Sequence, residues 1–175
     1  MAHIQSIDLR YAQIFLKPGE IVFCKDPSVV TTVLGSCVSV TLYHPLHKMG
    51  SICHGLLPSC RNKISCDEIC IEGLRYMDCS IRRMIKSFDI MGIRPKELQV
   101  KVFGGSDMFG DSRPGDCSLS VGAQNITTTM MMLEDFGVKL AAADTGGNLG
   151  RKIIFVSDTG EVFLKRIKRI DALRS

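Results

Sequence analysis

Apolar residues recur at every second position along one part of the chain and at every third or fourth along another, and this change of period marks out the elements. From Thr31 to Tyr43 two β-branched runs meet at Gly35-Ser36. Past that hinge Val38, Val40 and Leu42 share one face of an extended strand, while Cys37, Ser39, Thr41 and Tyr43 share the other. Cysteine is usually a small core hydrophobe. Here it falls in register with hydroxyl residues at a turn, where it is expected to meet solvent or a substrate. Upstream, residues 1–16 are mixed in pattern and run into the Lys17-Pro18-Gly19 turn. Glu20 to Cys24 and Val29 to Val33 read as strands separated by a turn at Asp26-Pro27-Ser28. Downstream, Pro45 bars a continuous ladder, so His44 to Lys48 is a loop, and Met49 to Leu57 is a strand ending at Pro58.

From Cys70 to Met91 the period becomes helical. Ile71, Leu74, Met77, Ile81, Met84, Ile85 and Phe88 lie within one stripe, with Arg75, Arg82, Arg83 and Lys86 away from it. Gly92 is the stop signal, with Pro95 soon after. Leu98 to Phe103 is a short strand broken by Gly104-Gly105. A second helix is predicted from about Gly122 to Phe136, ending at Gly137, although Thr127 to Thr129 are poor helix formers. Val138 to Ala143, Arg151 to Val156 and Val162 to Arg166 are strands, the last two joined by an Asp158-Thr159-Gly160 hairpin. Residues 59–69 and 106–117 are loops. Many strands with two helices make the class α+β.

The 175 residues, 45% of them apolar, suit one domain over 1–175 with a real core. A net charge of +4 without a basic stripe carrying interleaved aromatics, and without Trp, argues against nucleic acid. No leader pattern and no apolar run near the roughly 18 residues of a membrane span is present, so a soluble, cytoplasmic protein with no membrane insertion is expected. The eight cysteines are then reduced thiols. Cys60, Cys66 and Cys70 lack the spacing of a zinc site, and neither Gly104-Gly105 nor Gly146 to Gly150 opens a helix as a phosphate cradle would. No metal and no cofactor is expected.

Cys37 is the best nucleophile candidate, set against the buried structural thiol that most such cysteines are. Only about 3% of an unperturbed thiol is ionised at pH 7, so a partner is needed, and histidine is the usual one. His3 lies near the chain end, and His44 and His47 lie in a loop. His54 lies within a strand in register with Ile52 and Leu56. It is either a hydrogen-bonded core residue or the partner of Cys37 across neighbouring strands. A third group would fix its tautomer. The hydroxyl of Thr31 or of Thr32 could do so, and the residues alone do not choose between them.

Several ordered blocks carry a resemblance. They are Leu34-Gly35-Ser36-Cys37-Val38, His54-Gly55-Leu56-Leu57-Pro58, Arg75-Tyr76, Lys101-Val102-Phe103-Gly104-Gly105, Gly122 with Asn125, and Asp144-Thr145-Gly146-Gly147 with Gly150-Arg151-Lys152. Over nearly its whole length the chain resembles the chemoreceptor glutamine deamidases of bacterial chemotaxis, the CheD family. Thr145, Ser106 and the cysteine-bearing loop 59–69 depart from the family pattern. The resemblance implies a layered α+β β-sandwich with two main helices, similar to bacterial toxin deamidases. It also implies a catalytic Cys37, His54 and Thr31, the threonine standing six residues before the cysteine. The implied reaction converts glutamine to glutamate on the cytoplasmic helices of methyl-accepting chemoreceptors, with hydrolysis of glutamyl methyl esters possible at the same site. A CheC-type phosphatase is the implied protein partner, and a non-catalytic adaptor for that phosphatase is the alternative role.

Overall fold

A computed structural model of the chain describes residues 11–60, 71–107 and 119–168. Within them, strands and helices stack in three layers. The first is a four-stranded sheet in the order β1 (Ala12–Phe15), β3 (Ser28–Leu34), β8 (Gly150–Val156), β9 (Val162–Ile167). The second is a five-stranded sheet in the order β2 (Ile21–Cys24), β5 (Met49–Cys53), β4 (Val38–His44), β6 (Gln99–Gly104), β7 (Leu140–Thr145). The helices α1 (Met77–Asp89) and α2 (Val121–Asp135) form the third. Pairing is antiparallel except for β1 with β3 and β6 with β7. The α+β class and the sandwich of two sheets are as expected.

Alternation along β4 explains why three layers form. Val38, Val40 and Leu42 face the helices and pack with Met77, Ile81, Met84, Ile85 and Phe88 of α1 and Leu133 of α2. The opposite face of the same sheet meets the four-stranded sheet, where Ile52 and Phe103 pack against Val30, Leu34, Ile153 and Phe155. The hydroxyl face of β4 is therefore enclosed rather than solvent-facing, with Ser39 and Thr41 buried between the sheets. Only Cys37, at the strand's start, stays half-buried.

Three expectations need correction. Ala12–Phe15 forms β1, an edge strand pairing parallel to β3, where the mixed pattern gave no signal. The strand expected to reach Leu57 ends at Cys53, followed by isolated bridges at Gly55 and Leu57. The first helix begins at Met77 rather than Cys70, because Tyr76 is extended (φ −104°, ψ 136°) and bridges Leu57. The stretch Ile71–Arg75 before it is a 3₁₀ turn, so Leu74 is not on the helical stripe. Most of loops 59–69 and 106–117 lies outside the described residues.

Candidate active site

The Gly35-Ser36 turn carries the chain from β3 in one sheet to β4 in the other, and Cys37 stands where it arrives. All three carbonyls of this turn are tied down. Gly35 accepts from the Ser106 N–H (2.9 Å), and Cys37 accepts from the Gly105 N–H (2.8 Å). Ser36 accepts from the Asn125 side-chain amide (3.0 Å). The packing behind the turn is too close for side chains. A Cβ on Gly104 would collide with the Cys37 carbonyl, one on Gly105 with Ile126, and one on Gly122 with the Gly105 carbonyl. Gly104 and Gly105 also hold φ of +107° and +68°, which glycine tolerates and other residues rarely do. Burial pushes the Cys37 thiol above its ordinary value, and the residue's own backbone N–H, lying against the sulfur, partly offsets this.

His54 comes from the end of β5. Val38 and Gly55 form an antiparallel bridge (Val38 N–H to Gly55 O 3.0 Å, Gly55 N–H to Val38 O 2.9 Å). This continues the β4–β5 register, setting His54 opposite Ser39 and Cys37 opposite Leu56. Cys37 and His54 are thus diagonal neighbours on one face, a relation of roughly 7–8 Å between backbones that an imidazole can span. The ring is buried, and Thr32 Oγ1 of the facing sheet stands 2.8 Å from Nδ1. The same hydroxyl donates its one proton to the Leu16 carbonyl (2.8 Å). It therefore accepts from the ring, and Nδ1 carries the hydrogen. Nε2 is left with its lone pair and no hydrogen-bond partner among the described residues, the Cys37 sulfur included. Burial holds the His54 pKa below the usual histidine value, against smaller opposing effects of the Leu16 carbonyl and Glu20. The resting pair is consequently neutral thiol and neutral imidazole.

The threonine beside the ring is Thr32, not the Thr31 that the resemblance implies. Successive residues of a strand face opposite sides. Thr32 points inward with Val30 and Leu34, and Thr31 lies on the outer face of the four-stranded sheet, partly exposed, with Phe15 and Ile154 as its strand neighbours. His54 projects from the other sheet and meets only inward residues, so Thr32 holds it and Thr31 does not. His44 and His47 stack on each other (ring centroids 4.8 Å apart) at the far end of β4, and His3 lies outside the described residues. Cys53 is fully buried in the helix-side core, its thiol pushed up to about 12, so it has no nucleophilic character. Among the described residues no cluster of three His, Cys, Asp or Glu side chains could hold a metal ion.

The remaining blocks of the sequence support the turn. Arg151 is buried and donates to Asp144 (2.7 Å), to Ser106 Oγ (2.5 Å) and to the carbonyls of Leu149 (3.1 Å) and Gly146 (2.7 Å). Ser106 in turn donates its hydroxyl to Leu149 and its backbone N–H to Gly35. Arg151 is therefore committed to structure rather than to a ligand. Asn125 reaches both the Ser36 carbonyl and that of Leu56 (2.9 Å), a role that its spacing from Gly122 did not disclose.

Residues 56–166 match the family described as CheD chemotactic sensory transduction. A Geobacter sulfurreducens protein named probable chemoreceptor glutamine deamidase CheD 2 is 48% identical over 161 residues, covering 91% of this chain and 92% of its own. An alignment that long necessarily contains residues 31–54. The Maridesulfovibrio salexigens probable chemoreceptor glutamine deamidase CheD is 36% identical, covering 90% and 93% of the two chains, and the Thermotoga maritima chemoreceptor glutamine deamidase CheD is 31% identical, covering 85% and 88%. Among solved structures, the Bacillus licheniformis hypothetical protein YfiH overlays at a TM-score of 0.49 with 10% identity, over 74% of this chain and 51% of that one.

Proposed function

We infer, since the chain belongs to the CheD family, that it is a chemoreceptor glutamine deamidase, and we propose that Cys37 is its nucleophile, His54 its general base and acid, and Thr32 the group that fixes the histidine. The observation that carries this reading is the shared face of Cys37 and His54, with Nδ1–H given to Thr32 and Nε2 left open beside the strand that bears the sulfur.

The neutral resting pair sets the order of events. As the sulfur closes on the carboxamide carbon of a receptor glutamine, the thiol proton passes to Nε2. The imidazolium so formed donates more strongly from Nδ1 to Thr32, which relays to the Leu16 carbonyl. Charge on the carboxamide oxygen is met by backbone N–H groups of the Ser36-Cys37 turn, a preorganised donor being worth roughly 3–4 kcal/mol. His54 returns its proton to the departing ammonia, leaving a thioester. It then takes a proton from water as the water oxygen adds to the thioester, and returns that proton to the departing sulfur, giving glutamate and the resting thiol. A glutamyl methyl ester would form the same thioester with methanol as leaving group.

The test is conversion of amide to acid in receptor cytoplasmic fragments, followed by mass spectrometry. Cys37→Ala is expected to abolish it and His54→Ala to lower it at least about 1000-fold. Full rate in either variant removes that residue from the mechanism. No helix among the described residues is long and apolar enough to cross a membrane. A cytoplasmic location and a CheC-type phosphatase partner are proposed on family grounds. Cys37→Ala retaining wild-type affinity for such a phosphatase would separate that contact from catalysis.

A further inference from the structure

Asn125 is fully buried on α2, and both hydrogens of its amide are committed, one to the Ser36 carbonyl (3.0 Å) and one to that of Leu56 (2.9 Å). These carbonyls belong to the two segments that carry the reacting side chains. Ser36 directly precedes Cys37. Leu56 lies two residues past His54 and, in the register set by Val38 and Gly55, faces Cys37. Both neighbours accept, so nitrogen must face them, and Oδ1 is left buried without a partner among the described residues. An apolar residue would avoid that orphaned oxygen, so the two donors are what the position supplies.

Peptide planarity converts this contact into an orientation. In a trans peptide the C=O and N–H point to opposite sides. Drawing the Ser36 carbonyl toward Asn125 therefore turns the Cys37 N–H the other way. That N–H donates to no other residue's acceptor among the described residues. The preceding peptide is held likewise, its Gly35 carbonyl taken by the Ser106 N–H.

We propose that Asn125 is a positioning residue that aims the Cys37 N–H at the oxyanion of the tetrahedral intermediate, and that its second hydrogen bond keeps the His54 segment in the same frame. This rests on Cys37 being the nucleophile. Asn125→Leu keeps much of the shape and supplies no donor, and Asn125→Ala removes both.

Two reactions of the same sulfur separate positioning from upkeep of the fold. Deamidation passes through a tetrahedral oxyanion. Alkylation by iodoacetamide forms an S–C bond, expels iodide and builds no oxyanion. With Asn125→Leu, kcat for deamidation is expected to fall about 100-fold, with KM and the alkylation rate of Cys37 each within about threefold of wild type. An unchanged kcat overturns the proposal, and so does a parallel loss of deamidation and alkylation. Deamidation persisting in Cys37→Ala controls run alongside would instead strike the nucleophile assignment itself. A measurement on the wild-type chain covers variants that fail to fold. A glutamate-semialdehyde peptide adds across its carbonyl to the Cys37 thiol, giving a hemithioacetal. The Cys37 amide proton is expected to move downfield by NMR, and an unmoved resonance on a formed adduct overturns the proposal.

Discussion

The hydroxyl of Thr32 has a single proton and gives it to Leu16, which locks His54 as the Nδ1–H tautomer and keeps the lone pair at Nε2. Thr32→Val preserves shape and removes both functions. Each group left unpaired in that buried site costs about 1–3 kcal/mol of stability. The ring also loses the acceptor that steadies it as imidazolium, so kcat is expected to fall roughly 10–100-fold. Thr31→Val, on the outer face of the sheet, should leave kcat within about twofold. Steady-state deamidation kinetics of the two variants decide between them, and the opposite ranking would return the role to Thr31. The residues themselves left this choice open, and the family spacing of six pointed to Thr31. Spacing counts positions along the chain, whereas the hydrogen bond depends on which face of β3 looks at β5. That depends on a pairing between sheets that no local pattern records. Cys37 is marked in the sequence by the Gly35-Ser36 bend, whereas His54, expected inside a strand running to Leu57, is singled out from a core residue only by the resemblance.

Elements were readable where one periodicity ran uninterrupted, as in the α1 stripe from Met77 to Phe88, all of whose expected apolar members are buried. They were misread where a tertiary contact cut the pattern. Tyr76 is drawn into a bridge with Leu57, and this stops the helix seven residues short of its expected start. β1 alternates weakly because it is an edge strand with most of its residues exposed. The purpose of the glycine-rich run after β7 lies in Arg151, whose guanidinium fastens the β7–β8 connection to Ser106 and so to the Gly35 carbonyl. Arg151→Met fills similar space and supplies none of these donors. It strips the Gly146 and Leu149 carbonyls of a partner and leaves Asp144 to Arg166 alone. A loss of about 3 kcal/mol is expected, because a buried network is broken from one side, and Tm should fall by about 6–12 °C. Calorimetry of the variant checks this, and a change under about 2 °C would mean the clasp is dispensable.

At the scale of the whole molecule, Cys37 and His54, the proposed reacting groups, sit where the chain changes sheets. Gly35 to Cys37 crosses from β3 to β4, and Lys17 to Glu20 crosses from β1 to β2, passing directly over the histidine. There the Gly19 N–H donates to the His54 carbonyl (2.7 Å), and the His54 N–H donates to that of Glu20 (3.0 Å). His54 is thus enclosed by a seam that the whole sandwich must hold shut, and this couples its protonation to global stability. Burial lowers the His54 pKa from an unfolded value near 6.5. Burial also lowers that of His44, assisted by the facing His47 and opposed by Glu97. Below pH 6.5 the unfolded chain takes up protons that the folded chain refuses, so stability falls with decreasing pH from there down to the lower folded values. The carboxylates act later. Glu97, held near 2 by hydrogen bonds from Arg94, and Asp144, lowered because its bonds from Arg151 and Arg166 outweigh burial, keep their contribution until pH falls through the ordinary carboxylate range near 4. Tm is therefore expected to begin falling between pH 6.5 and 5, before Glu97 or Asp144 takes up a proton. His54→Gln, which cannot take up a proton, should flatten part of that slope. A wild-type Tm constant from pH 7.5 to 5.0 would mean that His54 is protonated in the folded chain as readily as in the unfolded one, and a neutral base enclosed by the seam would no longer be tenable.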